Sequence, residues 1–190
     1  MRGERELRVI SGRAKGRRLN SPKGTNTRPT TDRVKESVFS IINFYIRDSK
    51  VLDLFAGTGA LGIEAISRGA EYGVFVDNDK NSIEVIKENL ENLGFQRESS
   101  VLYCDVDAAI SNLSSKGEVF HIIFMDPPYL KGFIEPSLEK IYDSNILSDD
   151  GIVLIEHDLK DILSENIAGF YKYKEKKYGN TLISIYKKEE

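Results

Sequence analysis

Cysteine is nearly absent from this chain of 190 residues, which has only Cys104. One thiol cannot close an internal disulfide or supply the paired thiolates of a structural zinc site, and two distant histidines, His121 and His157, do not replace them. No metal is therefore expected. The histidines read as strand and strand-end residues, and Cys104 as a small packing residue. Long hydrophobic runs are lacking as well. The uncharged, apolar-rich stretch 37–46 falls far short of the roughly 20 residues that cross a bilayer, and the N-terminus is charged where a signal peptide would be apolar. A soluble, cytoplasmic protein with no membrane association is expected. Internal repeats and low-complexity segments are also missing, so a single domain with a small appendage suits this length.

Charge is present in quantity but unevenly placed. Residues 1–35 hold 11 of the 27 Lys and Arg and 3 of the 30 Asp and Glu, a net of +8, so the other 155 residues carry −11. A basic arm on an acidic body is an electrostatic footprint for a polyanion. A solvated tail would have the same composition, but turn and strand signals within the arm favour order. Residues 7–10 and 17–19 read as two short strands joined by a basic, Gly-bounded loop, a hairpin appended to the main fold. Residues 20–29 read as loop, after which Thr30 or Thr31 can cap a helix. Along that helix Val34, Val38, Ile41, Ile42 and Tyr45 recur at spacings of three and four, which predicts one buried face.

From Lys50 onward, apolar runs alternate with helical patterns. Strands are predicted at 51–55, 73–76, 101–103, 120–125 and 152–155, with helices around 60–68, 79–93, 106–115 and 132–145. This alternation implies crossovers and a largely parallel, doubly wound α/β sheet covered on both faces. Residues 171–177, a Tyr178-Gly179-Asn180 turn and residues 182–186 read as a closing hairpin whose last strand is antiparallel.

The segment Val51-Leu52-Asp53-Leu54-Phe55-Ala56-Gly57-Thr58-Gly59-Ala60-Leu61-Gly62 passes from a strand through a tight turn into a helix. Glycines there let backbone approach a ligand closely. The spacing also matches a dinucleotide fingerprint, and Asp77, 20 residues past Gly57, lies where an acid would bind a ribose in either cofactor class. Two features favour S-adenosylmethionine. Asp53 sits inside the strand, where a buried carboxylate needs a partner; a ligand ammonium would supply one, whereas a pyrophosphate would be repelled. Asp105, after the third strand, could accept from an adenine amino group. Each acid alone could equally be a helix cap or turn residue, but three at successive strand ends converge on the edge where such sheets bind ligands.

The fourth strand runs into Asp126-Pro127-Pro128-Tyr129, the most specific signal in the chain. An exocyclic amino group on a purine is a poor nucleophile because its lone pair is delocalised into the ring. Asp126 and the Pro127 carbonyl can each accept a hydrogen bond from it, favouring a pyramidal nitrogen and stabilising the positive charge that develops. The two prolines, Pro127 and Pro128, fix these acceptors in advance, and Tyr129 offers a flat face for a flipped base.

In this order the motifs resemble class I methyltransferases. More narrowly, Arg8-Val9-Ile10-Ser11-Gly12, Gly16-Arg17-Arg18-Leu19, Arg28-Pro29-Thr30-Thr31-Asp32-Arg33-Val34, the glycine loop, Asp126-Pro127-Pro128-Tyr129 and Tyr178-Gly179-Asn180-Thr181 resemble the RsmD family of bacterial ribosomal RNA methyltransferases. The resemblance runs from about Leu7 to Tyr186, and Met1 to Glu6 are assigned no function. It implies a Rossmann-like sheet of seven strands with the last antiparallel, a basic extension over 1–29, a catalytic domain over 30–190, and methyl transfer from S-adenosylmethionine to N2 of a guanine in 16S rRNA. The substrate would be met within small-subunit particles, by a monomer with no obligate protein partner. The cofactor set it implies is Thr30, Asp53, Phe55, Ala56, Gly57, Thr58, Gly59, Asp77, Asn78, Asp105, Val106 and Asp126. Arg8, Arg13, Lys15, Arg17, Arg18, Arg28 and Arg33 would meet RNA, chiefly its phosphates. The chemistry of the clamp alone leaves adenine N6 of DNA or RNA open as the acceptor. A non-catalytic RNA-binding protein and an NAD-dependent oxidoreductase are readings from other classes.

Overall fold

The computed structural model describes residues 7–22 and 32–189. The predicted caps Thr30 and Thr31 and the loop residues 23–29 lie outside the described residues, as do Met1 to Glu6.

Eight strands form one sheet: β1 (Lys50–Asp53), β2 (Tyr72–Asp77), β3 (Ser99–Tyr103), β4 (Phe120–Met125), β5 (Leu147–Asp158), β6 (Asn166–Ile167), β7 (Phe170–Tyr178) and β8 (Thr181–Lys188). Their spatial order is β3-β2-β1-β4-β5-β8-β7-β6. The first five are parallel, and β8 runs antiparallel to β5, as predicted. The count exceeds the predicted seven by β6, a two-residue strand paired antiparallel to β7. So short a strand is made by its pairing and carries no periodicity of its own. Strand order reverses between β1 and β4, the switch point at which doubly wound sheets bind ligands.

Alternation along the strands divides the core between the two faces. Leu52, Val74, Val76, Ile123 and Met125 pack with α5 (Val106–Ser115) and α6 (Ile134–Asp143). Val51, Ile122, Phe124 and Leu154 pack with α1 (Asp32–Ile41), α2 (Asn43–Ile46) and α3 (Ala60–Ser67). A third cluster joins Leu7, Val9, Ala14 and Leu19 of the N-terminal segment to Ile63, Ile66 and Phe75 and to Ile86 and Leu90 of α4 (Lys80–Leu93). Described residues of the arm are thus docked on the body.

Two local expectations are corrected. The first helix breaks at Ile42, whose backbone (φ −97°, ψ 10°) leaves the helical region. The break lets Phe39, Ile42 and Ile46 be buried, while Val34, Ile41 and Tyr45 stay half-buried. The hairpin at residues 7–19 is present but short, an antiparallel Arg8–Arg18 bridge with Val9 N–H donating to the Arg17 carbonyl and Leu19 N–H to that of Leu7, rather than two full strands. Tertiary hydrogen bonds to α3, described below, occupy the backbone that a longer ladder would use.

Candidate active site

The glycine loop is hung between strands. Leu54 N–H donates to the Phe124 carbonyl (3.0 Å), Ala56 N–H to that of Val76 (2.9 Å). Gly57 (φ +55°) and Gly59 (φ +77°) take left-handed backbone, and a Cβ added at Gly57 would meet nothing within 4 Å. The turn therefore presents bare backbone to an open approach. Gly62 serves packing instead, because a Cβ there would lie 2.4 Å from the Phe75 ring. Phe55 and Thr58 are half-buried, Ala56 is buried, and Asn78 is exposed just past β2.

The three predicted acids do gather at one sheet edge, each engaged by backbone. Asp53 and Asp77 end β1 and β2, and Asp105 follows β3. Asp77 accepts from Gly57 N–H and Asp79 N–H, both at 2.8 Å, and so shapes the loop. Asp105 caps α5, accepting from Ala108 N–H at 2.8 Å beside half-buried Val106. Asp53 is buried and accepts from Gly62 N–H at 3.1 Å. Burial pushes its carboxyl up to about 7, with the Gly62 bond opposing and the Asp77 charge adding.

A row of carboxylates crosses this edge. Asp53 pairs in register with Phe124. Asp126 follows Met125, the last residue of β4, and Glu156 follows its partner Ile155 on β5, and both Glu156 and Asp53 act electrostatically on Asp126. Burial, then the charges of Glu156 and Asp53, hold the Asp126 carboxyl well above the ordinary carboxylate range. Tyr129 lies over the row, its hydroxyl donating to Glu156 Oε1 at 3.2 Å and bonding Thr181. Burial and the neighbouring acids raise the Tyr129 phenol, so it stays protonated. Burial and mutual repulsion disfavour the charged forms of these acids, and a cationic ligand would restore them. Pro127 is buried and Pro128 exposed. Next to Pro128 a groove of about 240 Å³, lined by Leu130, Phe133 and Ile162, carries Lys131 and Lys160.

The basic residues divide into anchors and exposed charges. Lys35, counted with the arm, is fully buried; its Nζ donates to the Arg8 carbonyl (2.5 Å) and lies 3.7 Å from Glu64. Glu64, also fully buried, accepts from Ile10 N–H (2.8 Å), Ser11 N–H (2.9 Å) and Arg68 Nε (2.7 Å). Ser67 Oγ donates to the Ser11 carbonyl and accepts from Ala14 N–H, and Gly12 approaches so closely that a Cβ would sit 1.9 Å from the Ser67 carbonyl oxygen. Arg8 pairs with Asp32. Arg13 pairs with Glu98 and covers the Phe95 ring at 4.4 Å. Arg17 donates to the Asn92 carbonyl at 2.6 Å. Lys15, Arg17, Arg18 and Arg33 are exposed. Thr30 and Arg28 lie outside the described residues.

Three buried polar residues were missed by sequence reasoning. Glu156 ends an apolar run, a position that could have flagged it once β5 was known to neighbour β4. Glu64 and Asn89 sit mid-helix with no local signal. Asn89 donates to the carbonyls of Asn20 (3.1 Å) and Thr58 (3.0 Å), tying arm to glycine loop. His121 accepts from Lys50 N–H, and His157, buried on β5, bonds Ser184 at 2.9 Å. Cys104 packs at the edge of a core cluster.

The sequence matches the family model "Conserved hypothetical protein 95" over residues 7–187. It is 42% identical to "Putative rRNA methyltransferase YlbH" of Bacillus subtilis, over 96% of this chain and 99% of that protein. It is 32% identical to "Ribosomal RNA small subunit methyltransferase D" of Escherichia coli K12, over 98% of this chain and 92% of the other. Among solved structures, "Putative methyltransferase yhhF from Escherichia coli" superposes with a TM-score of 0.84 at 28% identity, covering 97% of this chain and 98% of that one.

Proposed function

The chain belongs to the RsmD family, the Conserved hypothetical protein 95 model matching residues 7–187, and on that premise we propose that it methylates N2 of a guanine in 16S rRNA. The donor is S-adenosylmethionine. The observation that carries the reading is the placement of Asp126-Pro127-Pro128-Tyr129 at the switch point beside the glycine loop, in one row of acids with Asp53. The ribosomal RNA substrate is supported by the names of the relatives.

The residues suit this cofactor. Open backbone at Gly57 suits a ligand lying against the loop, and the carboxylates suit a cationic group where they would repel a pyrophosphate. Asp53 would hold the ammonium, Asp77 the ribose hydroxyls with the lone pairs its backbone bonds leave, and Asp105 the adenine amino group. Phe55, Ala56, Thr58, Gly59, Asn78 and Val106 complete the wall, with Thr30 proposed beside them. When bound, the cofactor supplies an electrophilic methyl carbon on a sulfonium, a leaving group that needs no metal. Asp126 and the Pro127 carbonyl orient the target nitrogen and stabilise its developing charge, Pro128 stiffens the turn, and Tyr129 stacks on the base. The methylated nitrogen then loses its proton to solvent.

Residues 1–29 act as an RNA-binding extension and 30–190 as the catalytic domain. Exposed Lys15, Arg17, Arg18 and Arg33 meet phosphates, with Arg28 beside them, while Arg8 and Arg13 combine anchoring with contact at the rim. The enzyme works as a cytoplasmic monomer on RNA in small-subunit particles. The test is Asp126→Ala: methyl transfer to small subunits lacking the modification is lost by at least about a hundredfold while S-adenosylmethionine affinity is kept. Nucleoside analysis should give N2-methylguanosine, and N6-methyladenosine as the sole product would overturn the guanine assignment.

A further inference from the structure

We propose that Glu156 selects guanine over adenine by accepting the N1–H of the target base, beside the amino group held by Asp126 and the Pro127 carbonyl. The inference rests on the guanine-N2 reading above. Met125 and Ile155 are the last paired residues of the parallel strands β4 and β5. Asp126 directly follows Met125, and Glu156 directly follows Ile155, so the two carboxylates leave neighbouring strands that lie about 4.8 Å apart, close enough for the Glu156 charge to act on Asp126. Two acceptors side by side match one purine edge and mismatch the other. Guanine presents its N2 amino group next to N1–H, two donors in a row. Adenine presents its N6 amino group next to an N1 lone pair, which a carboxylate at Glu156 would repel.

Two further observations suit an acceptor at this position. Glu156 is only 5% exposed, within β5 and just past its apolar run, paired in register with Ile183 of β8. Tyr129, the stacking residue of the clamp, donates its hydroxyl to Glu156 Oε1. That bond fixes the carboxylate against the plane in which a stacked base would lie. A site built to hydrogen-bond an N–H rejects an analogue without it far more strongly than an apolar pocket rejects a misfit, because its own polar group is left unpaired.

The test uses small-subunit RNA with 2-aminopurine ligated at the mapped target position. This base keeps the 2-amino group but has a lone pair at N1. Wild type should prefer guanine over 2-aminopurine by at least about a hundredfold in kcat/KM. Glu156→Gln should lower that ratio at least about tenfold, because its amide can donate to N1. Tyr129→Phe, which removes the hydroxyl but keeps the carboxylate, should slow both substrates and lower the ratio less than Glu156→Gln does. A wild-type ratio near one overturns the proposal whatever the variants do. So does a Glu156→Gln protein that binds S-adenosylmethionine normally yet keeps the wild-type ratio, which would make Glu156 a support for Tyr129 alone. Failure of the guanine-N2 reading is seen separately, as N6-methyladenosine formed on unsubstituted RNA.

Discussion

Replacing Glu64 by glutamine keeps the side chain's shape and removes its charge. Its two oxygens take hydrogen bonds from Ile10 N–H, Ser11 N–H and Arg68 Nε, and Lys35 Nζ lies 3.7 Å away. A glutamine amide has one oxygen, so in either orientation its NH2 group faces at least one N–H donor. Lys35, fully buried, would lose its counter-charge. Burial already lowers the Lys35 pKa against the opposing pull of Glu64 and Asp32, and the substitution lowers it further. Removing one partner of a buried pair costs about 3–5 kcal/mol. A lost hydrogen bond to a charged group costs about 1.5–3 kcal/mol, but it overlaps the first term and does not add fully. We expect about 4 kcal/mol in all, or a fall in Tm of roughly 8–16 °C for a chain of this size. Because Ile10 and Ser11 belong to the arm, opening can be local. Trypsin cleavage at Arg13, Lys15, Arg17 and Arg18 should then accelerate by up to about a thousandfold. Adding Lys35→Met should recover part of the loss, since it removes the orphaned charge. Calorimetry with timed proteolysis measures both effects. A Glu64→Gln protein that melts within about 2 °C of wild type and is cleaved no faster would refute the assignment of Glu64 as the anchor of the arm.

Three other outcomes follow from the same geometry. The Asp53 carboxyl is raised from its ordinary value to about 7, so the fold favours its neutral form. Its contribution to stability is full below the unfolded value near 4, is lost as pH rises to about 7 and is flat above that. The proposed ammonium contact needs the charged form. Affinity for S-adenosylmethionine should thus fall by up to about tenfold per unit as pH drops below 7, and Asp53→Asn should bind weakly with no such slope. Wild-type affinity that is constant from about pH 5 to 7 would remove Asp53 from the ammonium site. Asp77→Asn keeps only one acceptor for the two backbone N–H groups that shape the loop, and should weaken cofactor binding about 10- to 100-fold by calorimetry; unchanged affinity would argue against the loop-shaping role. Neutralising Arg17 and Arg18 together should weaken RNA binding more at low salt than at high salt, with a shallower salt dependence. A loss independent of salt would point to damage through the Arg17 contact with Asn92 instead.

The periodic parts of the fold were legible in the sequence. The helix predicted at 106–115 and the strand at 120–125 match α5 and β4 to the residue, because each is bounded by capping or turn chemistry that acts locally. Misjudged elements are those settled by pairing. β5 begins at Leu147 and runs through Asp149, Asp150 and Gly151, well ahead of the strand predicted at 152–155. Pairing with β4 on either side, Leu147 with Phe120 and Ile152 with Ile122, carries them in the strand as a bulge and overrides local preference. At Ile42 the apolar spacing could not reveal the break, since the residues on both sides of it are helical and keep the same spacing.

At the site, a list of charges could not show which ones are spent on structure. The net of +8 over residues 1–35 includes Lys35, which is buried, and Arg8 and Arg13, which are paired. Lys15, Arg17 and Arg18 are exposed in the segment held against α3, Arg17 also bonding the Asn92 carbonyl. That helix starts just after Gly59 of the glycine loop and carries Glu64 and Ser67, which bind the arm's backbone. Five residues of helix rise about 8 Å, so the basic segment is referenced to the loop by one short rigid element. Asn89 adds a second tie, bridging Asn20 of the arm to Thr58 of the loop. On the proposed function, an RNA backbone held by the arm would be placed relative to the methyl donor by packed structure, which is what in-line transfer to one chosen nucleotide requires.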